Sequence, residues 1–308
     1  MEFEKKGKIE LNELERWQKG YQMLPTPLDM GGGVLRILVG FCDENNVGRI
    51  GYVDVDVDNP SVVLSVSKKP ILDIGRAGCF DDNGVVPLSV VRVSDRIVYL
   101  YYVGFQTGVK VPYYMFGGLA ISEDGGNIFQ RHSECPILDR RKDEVFHRCG
   151  MFVRKDDGIF KMWYIGTKAE GWTRNKDGKM LPLYVMKYTT SKDGLQWTND
   201  SVTCMEYQNT DEHGMGRPFV WRENDLFRML YCFRTYSRGY QIGYAESTDE
   251  IKWIRKDRES GITLSESGFD DTNQSYPYLY LHKGRGWLFY NGNGCGATGF
   301  GYAEIKEL

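Results

Sequence analysis

The sequence has no apolar run that approaches the roughly 20 residues of a membrane-spanning helix. It also lacks a strong excess of either charge, because 39 Lys and Arg against 42 Asp and Glu give a formal net charge of −3. This balance argues against general attraction to nucleic acid or to an anionic membrane surface. Residues 1–17 are rich in Glu and Lys, unlike a secretory signal.

Metal-binding and disulfide patterns are missing as well. The four histidines are dispersed, and the seven cysteines are scattered, odd in number and without a Cys-x-x-Cys pair. Such cysteines predict reduced, mostly packed thiols in a cytoplasmic protein. We therefore expect neither a metal site nor a cofactor.

What the sequence does contain is a repeat. Aromatic-rich segments that match one another occur at 97–104, 160–166, 226–231 and 287–292. The segments after three of them also match, and most end in a Ser-x-Asp-Gly tag, at 118–125, 186–194 and 242–249. The tags predict hairpin turns. Several strands per unit, recurring at roughly 50 to 65 residues, predict a β-propeller.

Prolines mark the first strand of most units. Pro25, Pro87, Pro218 and Pro277 share one register, and Gly150 takes this place in the third unit. Proline is tolerated where a strand does not need its N–H, as at a strand start or an edge. The spacing predicts an all-β fold, a five-bladed propeller with four-stranded antiparallel blades, forming a single domain over 1–308. We expect residues 3–11 to complete the last blade and close the ring.

Acidic residues lie about six positions before these markers. They are Asp81 with Asp82, Glu144, Glu212, and Asp270 with Asp271, whereas the first unit has Lys19 and Gly20 instead. In a propeller the first strands all start around one central pocket, so these carboxylates should converge. The alternative is that they cap turns or pair with arginines such as Arg76, Arg148 and Arg217. Asp81 is the expected turn residue of its pair.

Arginines and aromatic residues accompany the acids. Arg148, Arg217, Arg234 and Arg238 lie near the unit starts or in the loop after an aromatic strand, and a guanidinium fork matches a carboxylate or phosphate. These positions predict an anionic sugar or a sugar nucleotide as ligand, or else ion pairs with the acids. Trp172 and Tyr276 could stack on a sugar ring. Trp172 belongs to the long segment 167–182, which we expect to be an irregular loop that lines the pocket.

Several segments together resemble a known superfamily. They are 78–87, 111–113 with 118–122, Glu212 with 217–218, 243–247, and 290–294 with 299–301. With these the chain resembles the five-bladed β-propeller glycosidases, which include arabinanases, invertases, levansucrases and mannoside phosphorylases. It is most similar to an uncharacterised branch associated with bacterial surface-polysaccharide gene clusters.

The resemblance implies a glycan-active enzyme, a glycoside hydrolase or a transferase of bacterial polysaccharide metabolism. Familiar members use two Asp and one Glu from three consecutive blades, beginning with the first, whereas the first unit here lacks an acid. The expected catalytic residues are therefore Asp82, Glu144 and Glu212, as acid, base or nucleophile. The expected substrate-binding residues are Asp81, Arg148, Trp172, Arg217, Arg234, Arg238, Asp271 and Tyr276. The alternative is a non-catalytic propeller that binds a carbohydrate or docks a partner protein.

Overall fold

Residues 1–198, 200–282 and 284–308 are described by a computed structural model, in which nearly all regular structure is β-strand. Strand β1 spans Glu2–Lys8. The next four strands, β2 to β5, pair antiparallel, and we call them group one. They span Gln22–Gly31, Val34–Cys42, Gly48–Asp56 and Val63–Val66. The helical segments are short and span Arg16–Gln18, Asp257–Glu259 and Asn293–Gly296.

The same antiparallel pairing repeats along the chain. Group two contains β6 to β9, spanning Val85–Arg92, Val98–Thr107, Tyr113–Ser122 and Gln130–Arg131. Group three contains β10 to β13, spanning His147–Asp156, Ile159–Arg174, Met180–Ser191 and Val202–Met205. Group four contains β14 to β17, spanning Glu212–Glu223, Leu226–Thr235, Gly239–Ser247 and Ile254–Arg255. Group five contains β1 with β18 to β20, spanning Ser275–His282, Arg285–Asn291 and Phe300–Glu307.

Neighbouring groups meet near the starts of their first strands. Met115 of β8 forms a parallel bridge with His147 of β10, and Tyr184 of β12 forms one with Gly214 of β14. Through these bridges groups two, three and four form one continuous twelve-stranded sheet. The third strand of one group is thereby brought beside the first strand of the next.

The two ends of the chain lie together. β1 runs antiparallel to β20, so Phe3 is opposite Ile305 and Lys8 is opposite Gly301. Groups one and five also share a buried apolar cluster, in which Ile9 is fully buried. The N-terminal segment therefore contributes both a strand and a core residue to the contact between the first and last groups.

A β-bulge explains the prolines of the first strands. In β2, β6, β10, β14 and β18 the register with the second strand shifts beside the marker. The residues at the bulge with positive φ are Leu24, Gly150, Arg217 and Tyr276. Gly150 therefore aligns with the residue before Pro25, Pro218 and Pro277, one position earlier than the expected alignment. At a bulge the ladder is interrupted, so proline's missing N–H costs little.

The Ser-x-Asp tags form the turns that the sequence predicts. Ser122 Oγ donates to Asp124 Oδ1 at 2.7 Å, and Ser191 Oγ donates to Asp193 Oδ1 at 2.9 Å. Backbone N–H groups of the same turns donate to these carboxylates. The acids of the tags are therefore structural.

The segment 167–182 differs from the irregular loop expected from the sequence. It forms the extended end of the β11–β12 hairpin, where Trp172 pairs with Pro182 and Arg174 with Met180. A turn closes the hairpin, with Lys179 N donating to Asn175 Oδ1. The register of the pairing is irregular between Thr167 and Trp172, and the pairing resumes beyond it. The aromatic pattern of the sequence did not predict this extension of the hairpin.

No helix within the described ranges is long and apolar enough to cross a membrane.

Candidate functional site

Four carboxylates at the starts of groups two to five are buried against cations of their own group. These entrance ion pairs are Asp81–Arg131 at 2.8 Å, Glu144–Lys187 at 3.2 Å, Glu212–Arg255 at 2.6 Å and Asp270–Lys5 at 2.7 Å. Each acid is at most 5% exposed. Each cation lies on the third or fourth strand of the same group. The pairs therefore connect the start of each group with its outer strands.

Tyrosines of the second strands complete these pairs. The Tyr102 hydroxyl donates to Asp81 at 3.0 Å, Tyr164 to Glu144 at 2.9 Å and Tyr290 to Asp270 at 3.0 Å. In group four the equivalent tyrosine donates instead to Asp257, which shares Arg255 with Glu212. Each acid is thus held by partners of its own group, and removing one member of such a buried pair would leave a charge uncompensated.

Close packing at Glu144 leaves no room for a larger residue on the neighbouring strand. A Cβ at Gly166 would lie 2.0 Å from Glu144 Oε1. Arg148 adds a second cation, with its Nε 3.0 Å from Glu144 Oε2, and donates to the Asp139 carbonyl at 2.8 Å. Arg148 is thus held beside Glu144.

The second acid of each Asp-Asp pair makes a different contact. Asp82 is half-buried and accepts a hydrogen bond from the Gly78 N–H at 2.8 Å. Asp271 likewise accepts from the Gly268 N–H at 3.2 Å and from Asn293 Nδ2 at 2.7 Å. The turn residue is therefore Asp82, whereas we expected Asp81, and it is Asp81 that is buried in an ion pair.

Arg217 lies buried between the first strands of several groups. It is 1% exposed, and it donates to Thr26 Oγ1 of β2, to the Leu88 carbonyl of β6 and to the Tyr276 carbonyl of β18. Burial lowers its pKa to about 10. Arg217 has no carboxylate partner within the described ranges. The side chain links four of the five first strands, counting its own.

A second arginine lies among aromatic rings in what we call the Arg234 cluster. It contains Tyr113, His147, Trp172, Tyr184, Arg234, Tyr240 and Tyr276. The Arg234 guanidinium lies 4.7 Å from the ring centroid of Tyr240 and 3.5 Å from the Tyr184 hydroxyl. The Tyr276 ring continues the cluster, 5.4 Å from that of Tyr240. Arg234 is half-buried, and no ion pair to it occurs among the described residues.

His147 and Trp172 form the other end of the cluster. Their rings are 4.9 Å apart, and Tyr113 packs against both, at 6.0 Å and 5.6 Å. Burial, with a smaller contribution from Arg140, lowers the pKa of His147 to about 3, so the imidazole is neutral near pH 7. Neither ring nitrogen of His147 has a hydrogen-bond partner in the described part of the chain. The same holds for Trp172 Nε1 and for Arg234 Nε.

One feature of the sequence repeat marks two further tyrosines of this cluster, which the sequence-based prediction of the site did not include. Tyr184 and Tyr240 each lie seven residues before the Ser of a Ser-x-Asp tag, at equivalent positions of their third strands. His147 carries no such signal, because dispersed histidines are usual in folded proteins. Its place beside Trp172 depends on the hairpin extension.

Arg238 lies outside the Arg234 cluster. It is exposed in the turn between β15 and β16 and lines a separate groove of about 680 Å³. No group of three His, Cys, Asp or Glu side chains among residues 1–198, 200–282 and 284–308 could hold a metal ion. Three of the predicted substrate-binding residues, Trp172, Arg234 and Tyr276, therefore lie in the Arg234 cluster, and Arg238 lines the groove. The others lie elsewhere: Asp81 and Arg148 in buried ion pairs, Asp271 in a turn and Arg217 between the first strands.

Comparison with known proteins identifies the family. No family model matches the chain. The uncharacterized protein Rv1502 of Mycobacterium tuberculosis is 33% identical over 291 residues, which cover 94% of each chain. This chain belongs to the same family. A stretch of 73 residues, 22% of this chain and 24% of the relative, is 36% identical to a 1,2-beta-oligomannan phosphorylase of Thermoanaerobacter.

Solved structures show the fold of this family member. A protein described as a putative glycosidase from Bacteroides thetaiotaomicron superposes with a TM-score of 0.71 at 15% identity, covering 98% of this chain and 96% of that one. A glycoside hydrolase gives 0.70 at 17% identity over 99% and 93% of the two chains. An endo-arabinase from the same Bacteroides species gives 0.66 at 14% identity over 95% and 97%. The chain thus has the propeller fold of glycosidase-like proteins, as its sequence predicts.

Proposed function

We propose that this protein recognises an anionic sugar or a sugar nucleotide of bacterial polysaccharide metabolism, with the Arg234 cluster as its binding site. The cluster combines a guanidinium, which suits a carboxylate or phosphate, with rings that suit the apolar face of a sugar. Its residues come from groups two to five, as is usual for a ligand site at the centre of a closed fold.

The observation that supports this proposal most directly is that Arg234 forms no ion pair within the described ranges. A half-buried guanidinium usually has an anionic partner, because an uncompensated buried charge is costly. Among the described residues the Nε of Arg234 has no hydrogen-bond partner, and its guanidinium contacts the hydroxyl of Tyr184 and the ring of Tyr240. An anionic ligand would supply the missing partner. The unpartnered nitrogens of His147 and Trp172 would bind sugar hydroxyls in the same way.

The proposal also includes an architecture in which the Arg234 cluster lies on the central axis of a propeller. We propose that the five strand groups are the blades of one five-bladed propeller, which forms a single domain over 1–308. The contact of groups one and five and the pairing of β1 with β20 support closure of the ring. Arg217, which touches four first strands, would then lie at the centre below Arg234.

Glycoside hydrolysis is the second candidate, favoured by the likeness in fold to glycoside hydrolases. Catalytic roles for Asp82, Glu144 and Glu212 stay a prediction. The ion pairs of Glu144 and Glu212 support a framework role instead, since a general acid must release and regain a proton during turnover. Asp82, which is half-buried and outside the entrance ion pairs, is the carboxyl of the three best placed to reach a ligand.

Ligand binding by the full chain tests the proposal. We expect galacturonic acid, N-acetylneuraminic acid or UDP-glucuronic acid to raise the melting temperature, because a ligand of the native state stabilises it. Arg234→Gln should remove this shift, whereas Arg285→Gln, at the exposed start of β19 in group five, should keep it. No shift with any of the three compounds, or an equal shift in Arg234→Gln, would refute the proposed site.

Hydrolysis is tested separately with Asp82→Asn and Glu212→Gln. Once a substrate is known, loss of a catalytic carboxyl should lower turnover by about two to four orders of magnitude and leave binding largely intact. Full turnover in both variants would show that neither residue is catalytic.

A further inference from the structure

A groove beside the Arg234 cluster has the size and composition of a second sugar site. Its volume is about 680 Å³, within the usual range of ligand pockets. Apolar side chains form part of its wall, including Phe233, Ile262 and Leu264, the last of which is 48% exposed. Arg238 and Arg258 add two cations to the lining.

The charge of this groove is positive. Among the described residues its one lining carboxylate is Asp257, which accepts hydrogen bonds from Arg255 at 2.8 Å and from the Tyr231 hydroxyl. Because Arg255 also pairs with Glu212, Asp257 offsets one of the two lining cations, and the lining keeps a net charge of +1. Arg238 and Arg258 have no ion pair in the described stretches of the chain. Two arginines that form no ion pair, beside an exposed apolar side chain, suit an acidic sugar residue.

Two structural elements connect the groove with the Arg234 cluster. In β16, Tyr240 belongs to the cluster, and Ile242, two residues further along and therefore on the same face of the strand, lines the groove. At the start of β18, Gln274 directly precedes the strand and lines the groove, and Tyr276, two residues further along the chain, belongs to the cluster. Two residues of extended chain span about 7 Å.

Because β16 and the start of β18 each carry residues of both sites, neighbouring sugar residues of one glycan could reach the groove and the Arg234 cluster together. We propose that the groove is a second subsite, which binds a further acidic residue of an acidic oligosaccharide whose first residue occupies the Arg234 cluster. This inference rests on the proposed function and specifies its substrate class as an oligomer with repeated negative charge. The two guanidinium groups bind the acidic group, and the apolar wall packs against the sugar ring.

The test compares monomers with trimers by isothermal titration calorimetry of the full chain. The probes are galacturonic acid and N-acetylneuraminic acid, each as monomer and as homotrimer, with maltotriose as a neutral trimer. For at least one acidic sugar we expect the trimer to bind about tenfold more tightly than the monomer or better. The double variant Arg238→Gln/Arg258→Gln should lose this advantage and keep the monomer affinity.

A matched control removes the same charge elsewhere. Arg96 is exposed and lies between the first and second strands of group two, and Arg285 is the exposed first residue of β19, the second strand of group five. Both lie at the opposite strand ends from the turn of Arg238. Arg96→Gln/Arg285→Gln should keep the trimer advantage. Monomer binding without a trimer advantage, or an advantage that survives in the Arg238/Arg258 variant, would overturn the second subsite alone. Failure of every acidic monomer and trimer, and of UDP-glucuronic acid, to bind would overturn the proposed function as well.

Discussion

Lys5 and Asp270, 265 positions apart in the sequence, form an ion pair of 2.7 Å. Lys5 lies on β1, and Asp270 lies just before β18, so the pair joins the two ends of the chain within group five. Gln274 and Tyr290 also donate to the same carboxylate oxygen. This contact ties the N-terminal strand to a buried carboxylate, and the first two predictions concern it.

Removal of the N-terminal segment should strongly destabilise the protein. Deleting residues 1–11 removes the strand that pairs with β20 and the fully buried Ile9. Ile9→Ala alone should cost about 2 to 5 kcal/mol, because it leaves a cavity. Ile254→Ala, at a side chain that is 70% exposed, should change stability by less than about 0.5 kcal/mol. Chemical denaturation measures both, and a truncated chain with unchanged stability would contradict closure by β1.

Asp270 should contribute stability that is lost in acid. Burial opposes its charge, but hydrogen bonds from Lys5, Ser265 and Gln274 outweigh burial and lower the pKa of Asp270. A carboxylate with a lowered pKa stabilises the native state above its unfolded pKa of about 3.9, and this contribution disappears as the pH falls through the folded pKa. Asp270→Asn should therefore melt below the wild type at pH 7, and the difference should shrink below about pH 4.

The control for this prediction is Asp225→Asn. Asp225 is fully exposed and lies 3.4 Å from Arg222. Its replacement should leave the melting curve nearly unchanged at both pH values. A difference between Asp270→Asn and the wild type that stays constant from pH 7 to pH 3 would contradict the assigned role of the ion pair.

Glu144→Gln should reveal the framework role of an entrance ion pair. The change leaves Lys187 and Arg148 without their buried carboxylate, and breaking a buried pair costs about 3 to 5 kcal/mol. Glu134→Gln breaks an exposed pair with Arg76 and should cost about 1 kcal/mol or less. Urea denaturation compares the two variants. Equal stability of Glu144→Gln and the wild type would show that this pair is not part of the framework.

His147 should make the protein less stable as the pH falls from about 6.5. Burial lowers its folded pKa to about 3, so below the unfolded pKa the unfolded chain binds a proton that the native state does not. One such histidine lowers stability by at most about 1.4 kcal/mol per pH unit. His213, whose pKa burial and Arg234 lower to about 4, acts in the same direction.

His147→Phe should therefore reduce the pH dependence of stability between pH 7 and pH 5, as measured by urea denaturation. The ring of Phe keeps the contacts with Trp172 and Tyr184. His132→Gln, at an exposed side chain, should leave the dependence unchanged. The same slope in the wild type and in His147→Phe would contradict a buried neutral imidazole.

The sequence by itself determined the repeat and much that follows from local chemistry. The aromatic second strands, the Ser-x-Asp turns and the prolines depend on neighbouring residues, so their spacing predicted the strand groups and the propeller fold. The sequence also predicted Arg234, Trp172 and Tyr276 as substrate-binding residues, and all three lie in the Arg234 cluster.

Tertiary structure alone decided which charges pair. A carboxyl at the start of a group has the same local sequence whether it points to the centre or into its own strands. The partners of Asp81, Glu212 and Asp270 lie 50, 43 and 265 residues away, at positions that no local pattern marks. The fold places a cation beside each of these acids, whereas within the described ranges no carboxylate pairs with Arg234. Because the contacting groups come from strands far apart in the sequence, only the three-dimensional arrangement distinguishes a charge held in an ion pair from one that lies among aromatic rings.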